Sequence, residues 1–228
     1  KPRKVGNKLK NFTLQNFSRK ISMKFRRIKK NLGGFTLLEL LIVIGIVTVL
    51  TTMIILVLNP SEFKREARDV VRSIELRTLS GAAGLAAADN PNLFFGTPGK
   101  VYISLPDTNL NCSSYILPVL PSGWTYGCVI QDNLQKVDGT GWVPIAFDSL
   151  SFRPFSKLPI DPINKVEGGL YYSYTVGSWE FNGLFESDKY VAMAESDGGD
   201  APLLYEFGSD LVVIPPQINN RVISGVGN

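Results

Sequence analysis

The sequence predicts an α+β protein: a long N-terminal α-helix, membrane-spanning in its first half, packed on a C-terminal antiparallel β-sheet. Three observations predict it. Residues 35–58 form an apolar run whose only charge is Glu39. A helical pattern resumes at Pro60 and continues to about Ala88. From Lys100 onward the pattern changes to short β-like runs broken by Pro, Gly and Asn.

The charges divide the chain before any element is assigned. Residues 1–34 hold 12 of the 24 Lys and Arg and no acid, whereas the remainder sets 12 basic residues against 20 acidic ones, a net −8. The basic excess therefore belongs to a leader, and the folded part has no basic patch suited to nucleic acid. The chain has no histidine. That excludes Ser-His-Asp and Cys-His catalysis and imidazole metal sites. Asp161, Glu180 and Glu186 read as isolated turn or surface acids. No catalytic cluster, cofactor site or enzyme activity is expected.

The apolar run comes first. At about 1.5 Å per residue it makes a helix roughly 36 Å long, enough to cross a hydrocarbon core of about 30 Å with tilt. Its Ile, Val and Thr content also suits a strand, but its length decides for a helix. Arg26, Arg27, Lys29 and Lys30 precede it, which keeps the N-terminus in the cytoplasm and sends everything after Pro60 outside. The small pair Gly33-Gly34 lies before the run. In an ordinary secretory signal the cut site follows the apolar core.

Glu39 lies four residues into the run, roughly 6 Å from its cytoplasmic end. A carboxylate in a membrane helix costs a few kcal/mol near the centre, less near an interface, and it requires a partner. A plain signal anchor has no use for it. A free α-amino group on Phe35, made by cutting after Gly34, supplies a partner on the same chain or on a neighbouring copy. Gly45, Thr48 and Thr52 share one helical face, and such small residues allow close helix approach.

The stretch "GGFTLLELLIVIGIV" resembles the signature of type IV prepilins and type II secretion pseudopilins. The resemblance implies that Gly34, preceded by Gly33, is the residue a prepilin peptidase requires before its cut. It implies that Phe35 becomes an N-methylated terminus, and that Glu39 pairs with the α-amine of an adjacent subunit. The partners implied are the peptidase, copies of the chain and other pilins, and an inner-membrane assembly platform. The place implied is the cytoplasmic membrane, then a cell-surface filament. The competing expectation is a single-pass, membrane-anchored extracytoplasmic binding domain that does not polymerise. The leader of 34 residues is long for the pattern; a start at Met23 gives the compact "MKFRRIKKNLGG". Binding of anionic lipid by residues 1–22 ranks below that reading. The expected divisions are a leader (1–34), the membrane and filament-core helix (35–58), a helical continuation with linker (59–98) and a β-rich globular domain (99–228).

Asn59-Pro60 interrupts the helix, either as a kink or as the cap and first residue of a new one. Phe63, Ala67, Val70 and Ile74 then recur at spacings of four, three and four, which predicts the face packed on the sheet. Lys64, Arg65, Glu66, Arg68 and Asp69 are expected on the opposite face, and Asp89-Asn90-Pro91 ends the helix. The strand candidates are "VYISL", "WTYGCVI", "GLYYSYTV", "WEFNGLF", "KYVAMAE" and "DLVVIPP", with a hairpin around Val176-Gly177-Ser178. Tyr171, Tyr172, Tyr174 and Trp179 read as sheet residues.

Cys112 and Cys128 lie outside the membrane, where a structural disulfide is favoured over two free thiols and contributes about 3 kcal/mol. The stretches "LPIDPIN", "YYSYTV" and "FESDKYVAMAESDGG" resemble, more weakly, the globular domain of pseudopilin-like pilins. Major pseudopilins hold calcium in an acidic C-terminal loop. Asp197, Asp200, Glu206 and Asp210 do not have a recognised ligand spacing, and they read as a solvated acidic loop with no metal.

Overall fold

The computed structural model describes residues 34–213, without the side chains of residues 56–58. Gly33, the leader with Met23, and the chain from Ile214 lie outside the described residues. The chain divides into two compact units, one up to Thr51 and one from Thr52. Helix α1 spans Leu37–Leu58.

A second helix, α2, spans Pro60–Asp89. The break is local. Asn59 adopts a left-handed backbone (φ 33°, ψ 79°), and its carbonyl accepts from the amides of Glu62 and Phe63 at 3.1 and 3.3 Å. Pro60 then occupies the first helical position, where its missing N–H leaves no bond unmade. The helix stops where the Asn90 amide closes on the Ala86 carbonyl at 2.9 Å and Pro91 follows.

The α+β class is as expected, but α2 presents a different face to the sheet. Its buried positions are Asp69, Arg72, Leu76, Leu79, Ala82, Ala83 and Ala86. Phe63, Val70 and Ile74 point outward, 72%, 40% and 60% exposed. The predicted apolar stripe is therefore the solvent face of α2. The reason is chemical: two of the buried positions are charged, and hydrophobicity alone assigns charged positions to water.

Five strands form one sheet: β1 Lys100–Pro106, β2 Thr125–Val129, β3 Ser173–Thr175, β4 Glu180–Leu184 and β5 Leu204–Gly208. Their order is β2-β1-β3-β4-β5. The β1–β3, β3–β4 and β4–β5 pairs are antiparallel, and β1–β2 is parallel, so the sheet is mixed. The long connection from Asp107 to Trp124 allows this, because parallel neighbours need a crossover of about a dozen residues or more. The hairpin around Val176-Gly177-Ser178 joins β3 to β4.

Two strand assignments change. "KYVAMAE" falls in a short helix, α3, Asp188–Ala194. It starts where the amides of Tyr190 and Val191 both bond the Ser187 carbonyl. "LYEFG" supplies β5, whereas residues 209–213 form no strand.

Helix α2 lies against β4 and β5. The contact is close at Gly183, where an added Cβ would come within 2.9 Å of Leu76 Cδ1 and 3.2 Å of the Tyr172 ring. Trp142 is fully buried beside Tyr172 and Phe181, its centroid 6.3 and 6.4 Å from theirs, and its Nε1 donates to the Pro159 carbonyl at 2.8 Å. Tyr172 and Tyr174 belong to this core, Tyr171 to a smaller one that includes Val101, Ile103 and the two cysteines, and Trp179 packs half-buried at the edge.

Candidate processing and assembly segment

Gly34, Phe35 and Thr36 precede α1 and are exposed. Nothing lies within 4 Å of the position a Cβ would take at Gly34. Phe35 is 77% exposed.

The start of α1 is built by Thr36. Its Oγ1 accepts the Glu39 amide at 3.2 Å, and its carbonyl accepts the Leu40 amide at 3.2 Å. Thr36 is therefore the cap, and Glu39 is the third residue of the helix. Thr-x-x-Glu is the capping-box spacing, and an acid in the first turn also complements the helix dipole. Both effects are worth about 1 kcal/mol or less. A carboxylate costs a few kcal/mol at the centre of a bilayer and less near its edge, so capping offsets part of that cost.

One helix among the described residues is long and apolar enough to cross a membrane. Its apolar window runs from Leu37 to Ile55, and none of it is buried within the protein. Two of its hydroxyls bond carbonyls of the same helix: Thr48 Oγ1 bonds the Ile44 and Gly45 carbonyls at 3.0 and 2.8 Å, and Thr51 Oγ1 bonds the Val47 carbonyl at 2.7 Å. Such back-bonding leaves little polarity facing a lipid or a neighbouring helix. Gly45 opens an apolar notch flanked by Leu41, Ile42 and Val49.

The second unit holds a polar centre that the sequence reading misses. Arg72 is fully buried at the junction of three carboxylates. Its Nε and Nη2 donate to Asp161 at 2.6 and 3.1 Å, and its Nη1 donates to Asp69 at 2.7 Å and to Glu186 at 2.6 Å. Arg68 forks onto Glu186 at 2.6 and 2.7 Å. Asp69 also accepts from the amides of Glu186 and Ser187 and from the Ser187 hydroxyl. Asp161 accepts from the amides of Ile163 and Asn164.

Burial alone pulls the Arg72 pKa down, but bonds to Asp161, Glu186 and Asp69 more than reverse this and hold it charged. Burial raises the Glu186 carboxyl, and the two arginines bring it below its usual value. Asp161 and Glu186 are therefore partners of a buried arginine, not isolated surface acids. The charges are satisfied, and the centre fixes α2 to the loop before β3 and to the end of β4. One signal points to it. The spacing of Leu76, Leu79, Ala83 and Ala86 (three, four, three) extends backward by four and three to Arg72 and Asp69.

Cys112 and Cys128 are bonded, with Cα atoms 5.3 Å apart. The preceding turn is tied by Asp107, which accepts from the amides of Asn109 and Ser114 and from the Ser114 hydroxyl; the Asn109 amide leads in lowering its pKa. Of the predicted acidic loop, Glu206 is buried on β5, not solvated. Asp197 meets it through the Glu206 amide at 2.8 Å. Asp210 bonds only the nearby Val212 amide among its described hydrogen bonds.

Residues 29–55 match the family described as the prokaryotic N-terminal methylation motif. This is the prepilin-type signature of type IV pilins and pseudopilins, and the chain carries it on a pilin-like α+β fold. No curated protein and no solved structure matches the chain.

Proposed function

We propose that the chain is a structural subunit of a type IV pilus-like or type II secretion pseudopilus filament, made as a prepilin. A prepilin peptidase cuts between Gly34 and Phe35, with Gly33 part of its recognition site, and Phe35 is N-methylated. The apolar helix holds the subunit in the cytoplasmic membrane with its N-terminus inside, until an inner-membrane platform moves it into a filament of its own copies and other pilins. The second unit then lies on the extracytoplasmic side.

The observation that carries this reading is the order of parts. An exposed Gly-Phe bond precedes a capped helix whose side chains from Leu37 to Ile55 are all exposed and whose third residue is Glu39. In a filament, the Glu39 carboxylate pairs with the Phe35 α-amine of a neighbour. That charge pair sets the register of otherwise featureless apolar helices. The outward Phe63, Val70 and Ile74 of α2 supply further apolar surface for adjacent subunits.

The test is co-expression with a prepilin peptidase, reading the mature N-terminus by intact mass and peptide sequencing, with Gly34→Ala as control. A terminus at Phe35, one methyl heavier and absent in the control, is the expected result. An uncut chain overturns it in favour of a plain anchor, and a chain cut after Leu58 in favour of a secreted domain.

A further inference from the structure

The connection between β1 and β2 lies in the longest uncharged stretch of the chain. From Thr108 to Gln131 there is no Asp, Glu, Lys or Arg, a longer interval than the one between Glu39 and Glu62. Among the described residues, the same stretch carries the two most exposed large apolar side chains of the second unit. Ile116 is 99% exposed and Val119 83%, and Leu110 is 62% exposed.

A single exposed aliphatic side chain is ordinary. Here exposure is sorted by position. Tyr115, Leu117 and Leu120 pack on the small core of Val101, Ile103 and the two cysteines, while Ile116 and Val119, which alternate with them, turn outward. The inward residues already close that core, so its packing does not require apolar groups at 116 and 119. The loop is held from beneath. Cys112 is bonded to Cys128, the Ser114 hydroxyl donates to Asp107, and the Tyr115 hydroxyl donates to the Pro106 carbonyl. The Tyr126 hydroxyl donates to the Pro118 carbonyl at 2.8 Å.

The loop starts at a defined end of the sheet. Helix α2 and β4 run in opposite directions: the Trp179 ring lies over Gly84 late in the helix, whereas the Glu186 amide bonds Asp69 nearer its start. Strand β3 is antiparallel to both β4 and β1, so β1 runs with β4 and ends, at Pro106, toward the start of α2. Ser114 and Tyr115 are fastened there, to Asp107 and Pro106. The start of α2 is also the part of the second unit closest in sequence to the apolar helix. Only residues 56–59 separate Ile55, the last of the apolar window, from Pro60.

We propose that Ile116 and Val119, with Leu110, dip into the surface of the bilayer that holds α1 and seat the second unit against it. The occupant of this surface is the boundary between headgroups and acyl chains of one lipid leaflet. A protein interface carries a polar, hydrogen-bonding rim, and this stretch has no charge to contribute to one. The half-buried Tyr115, Trp124 and Tyr126 belong to the same stretch, and Trp and Tyr favour the membrane–water interface. Only side chains enter, because irregular backbone does not lie exposed to hydrocarbon. The proposal rests on the membrane placement of α1, which the filament and the plain-anchor readings share.

Tethering supplies what so few side chains lack. Moving one aliphatic side chain from water to hydrocarbon shifts an equilibrium roughly tenfold or more. That is too little to hold a free domain on a membrane. Joined to α1 through a few residues, the loop meets the leaflet at an effective concentration of about millimolar. No charge takes part, so the contact is insensitive to salt and does not need anionic lipid.

The test uses the full chain in phosphatidylcholine nanodiscs, one copy per disc, with methyl-labelled Ile, Leu and Val and a paramagnetic lipid. The Ile116 and Val119 methyl signals should broaden along with those of α1, at low and high salt alike. Those of Ile103 and Leu158, fully buried in the second unit, should stay sharp. The double variant Ile116→Ser, Val119→Ser should cut the broadening at Leu110 several-fold while the buried methyl signals keep their positions. Sharp Ile116 and Val119 signals beside broadened α1 signals overturn the proposal and leave the anchor standing; sharp α1 signals overturn both. Unchanged broadening at Leu110 in the double variant also overturns it. Shielding of Ile116 from a water-soluble paramagnet only in discs that hold two copies overturns it in favour of a second copy of the chain as occupant.

Discussion

Arg72 and Asp161 lie 89 residues apart in the chain, yet they meet as a two-bonded fork fully removed from solvent, Nε–Oδ2 2.6 Å and Nη2–Oδ1 3.1 Å. Asp161 takes the Nε and Nη2 donors of Arg72, while Asp69 and Glu186 share its Nη1. Removing Asp161 leaves those two buried donors of a charged group unmatched. Asp161→Ala is therefore expected to destabilise the second unit by about 3–5 kcal/mol, measured by thermal or denaturant unfolding. Ile74→Ser, on the exposed face of the same helix, should stay within about 0.5 kcal/mol. Equal losses for the two variants would contradict the assignment of faces on α2.

The same cluster sets the acid limit. Glu186 has its pKa held below the ordinary value by Arg68 and Arg72, against the effect of burial. The sign follows: its contribution is present above the unfolded value near 4.5 and is lost as pH falls through the lower folded value. Stability should decline below pH 4.5, and Glu186→Gln should flatten that decline while lowering stability at neutral pH. Unfolding midpoints recorded from neutral to acid pH check this. A variant with the unaltered acid slope would exclude Glu186 as its source.

The Cys112–Cys128 bond closes a loop at a sequence separation of 16 residues. Chain entropy assigns such a closure about 3 kcal/mol. A Cys112→Ser, Cys128→Ser double variant should lose about that amount, and the wild type should lose it on reduction. The loss should fall on the β1–β2 edge, visible as faster amide exchange there, because both cysteines pack in the small core beside those strands.

The proposed assembly role of Glu39 is separable from its place at the helix start. As the third residue of α1, it donates its amide to the Thr36 hydroxyl; the proposal adds a charge pair between its carboxylate and an amine. Glu39→Gln keeps the capping geometry and removes the charge. Membrane insertion and cleavage after Gly34 should survive in both Glu39→Gln and Glu39→Val, while filament incorporation is lost in both. Filaments from Glu39→Gln at wild-type yield would show that capping, not charge, is what the residue provides.

The N-terminal segment was legible because its signals are local. A basic leader, a glycine pair, an apolar run of membrane length and one carboxylate near its start all lie within about 30 residues of sequence, and none depends on what the rest of the chain does. Strands β1 to β4 were legible for a related reason, since alternation and turn residues mark them one at a time. What only the tertiary structure decided is which face of α2 is inside. Asp69 reads as a surface charge, and nothing singles out Arg72, until Asp161, Glu186 and Ser187 arrive from more than 80 residues away to pair with them. Their arrival turns the outer stripe of Phe63, Val70 and Ile74 to solvent. The same holds for Glu206, whose burial on β5 depends on Gly199 letting a loop close over it, and for the parallel β1–β2 pair, which depends on where a long crossover returns. Periodicity reports the preference of each side chain for water or oil; a buried charge reverses that preference only once its partners are in place, and partners distant in sequence leave no periodic trace.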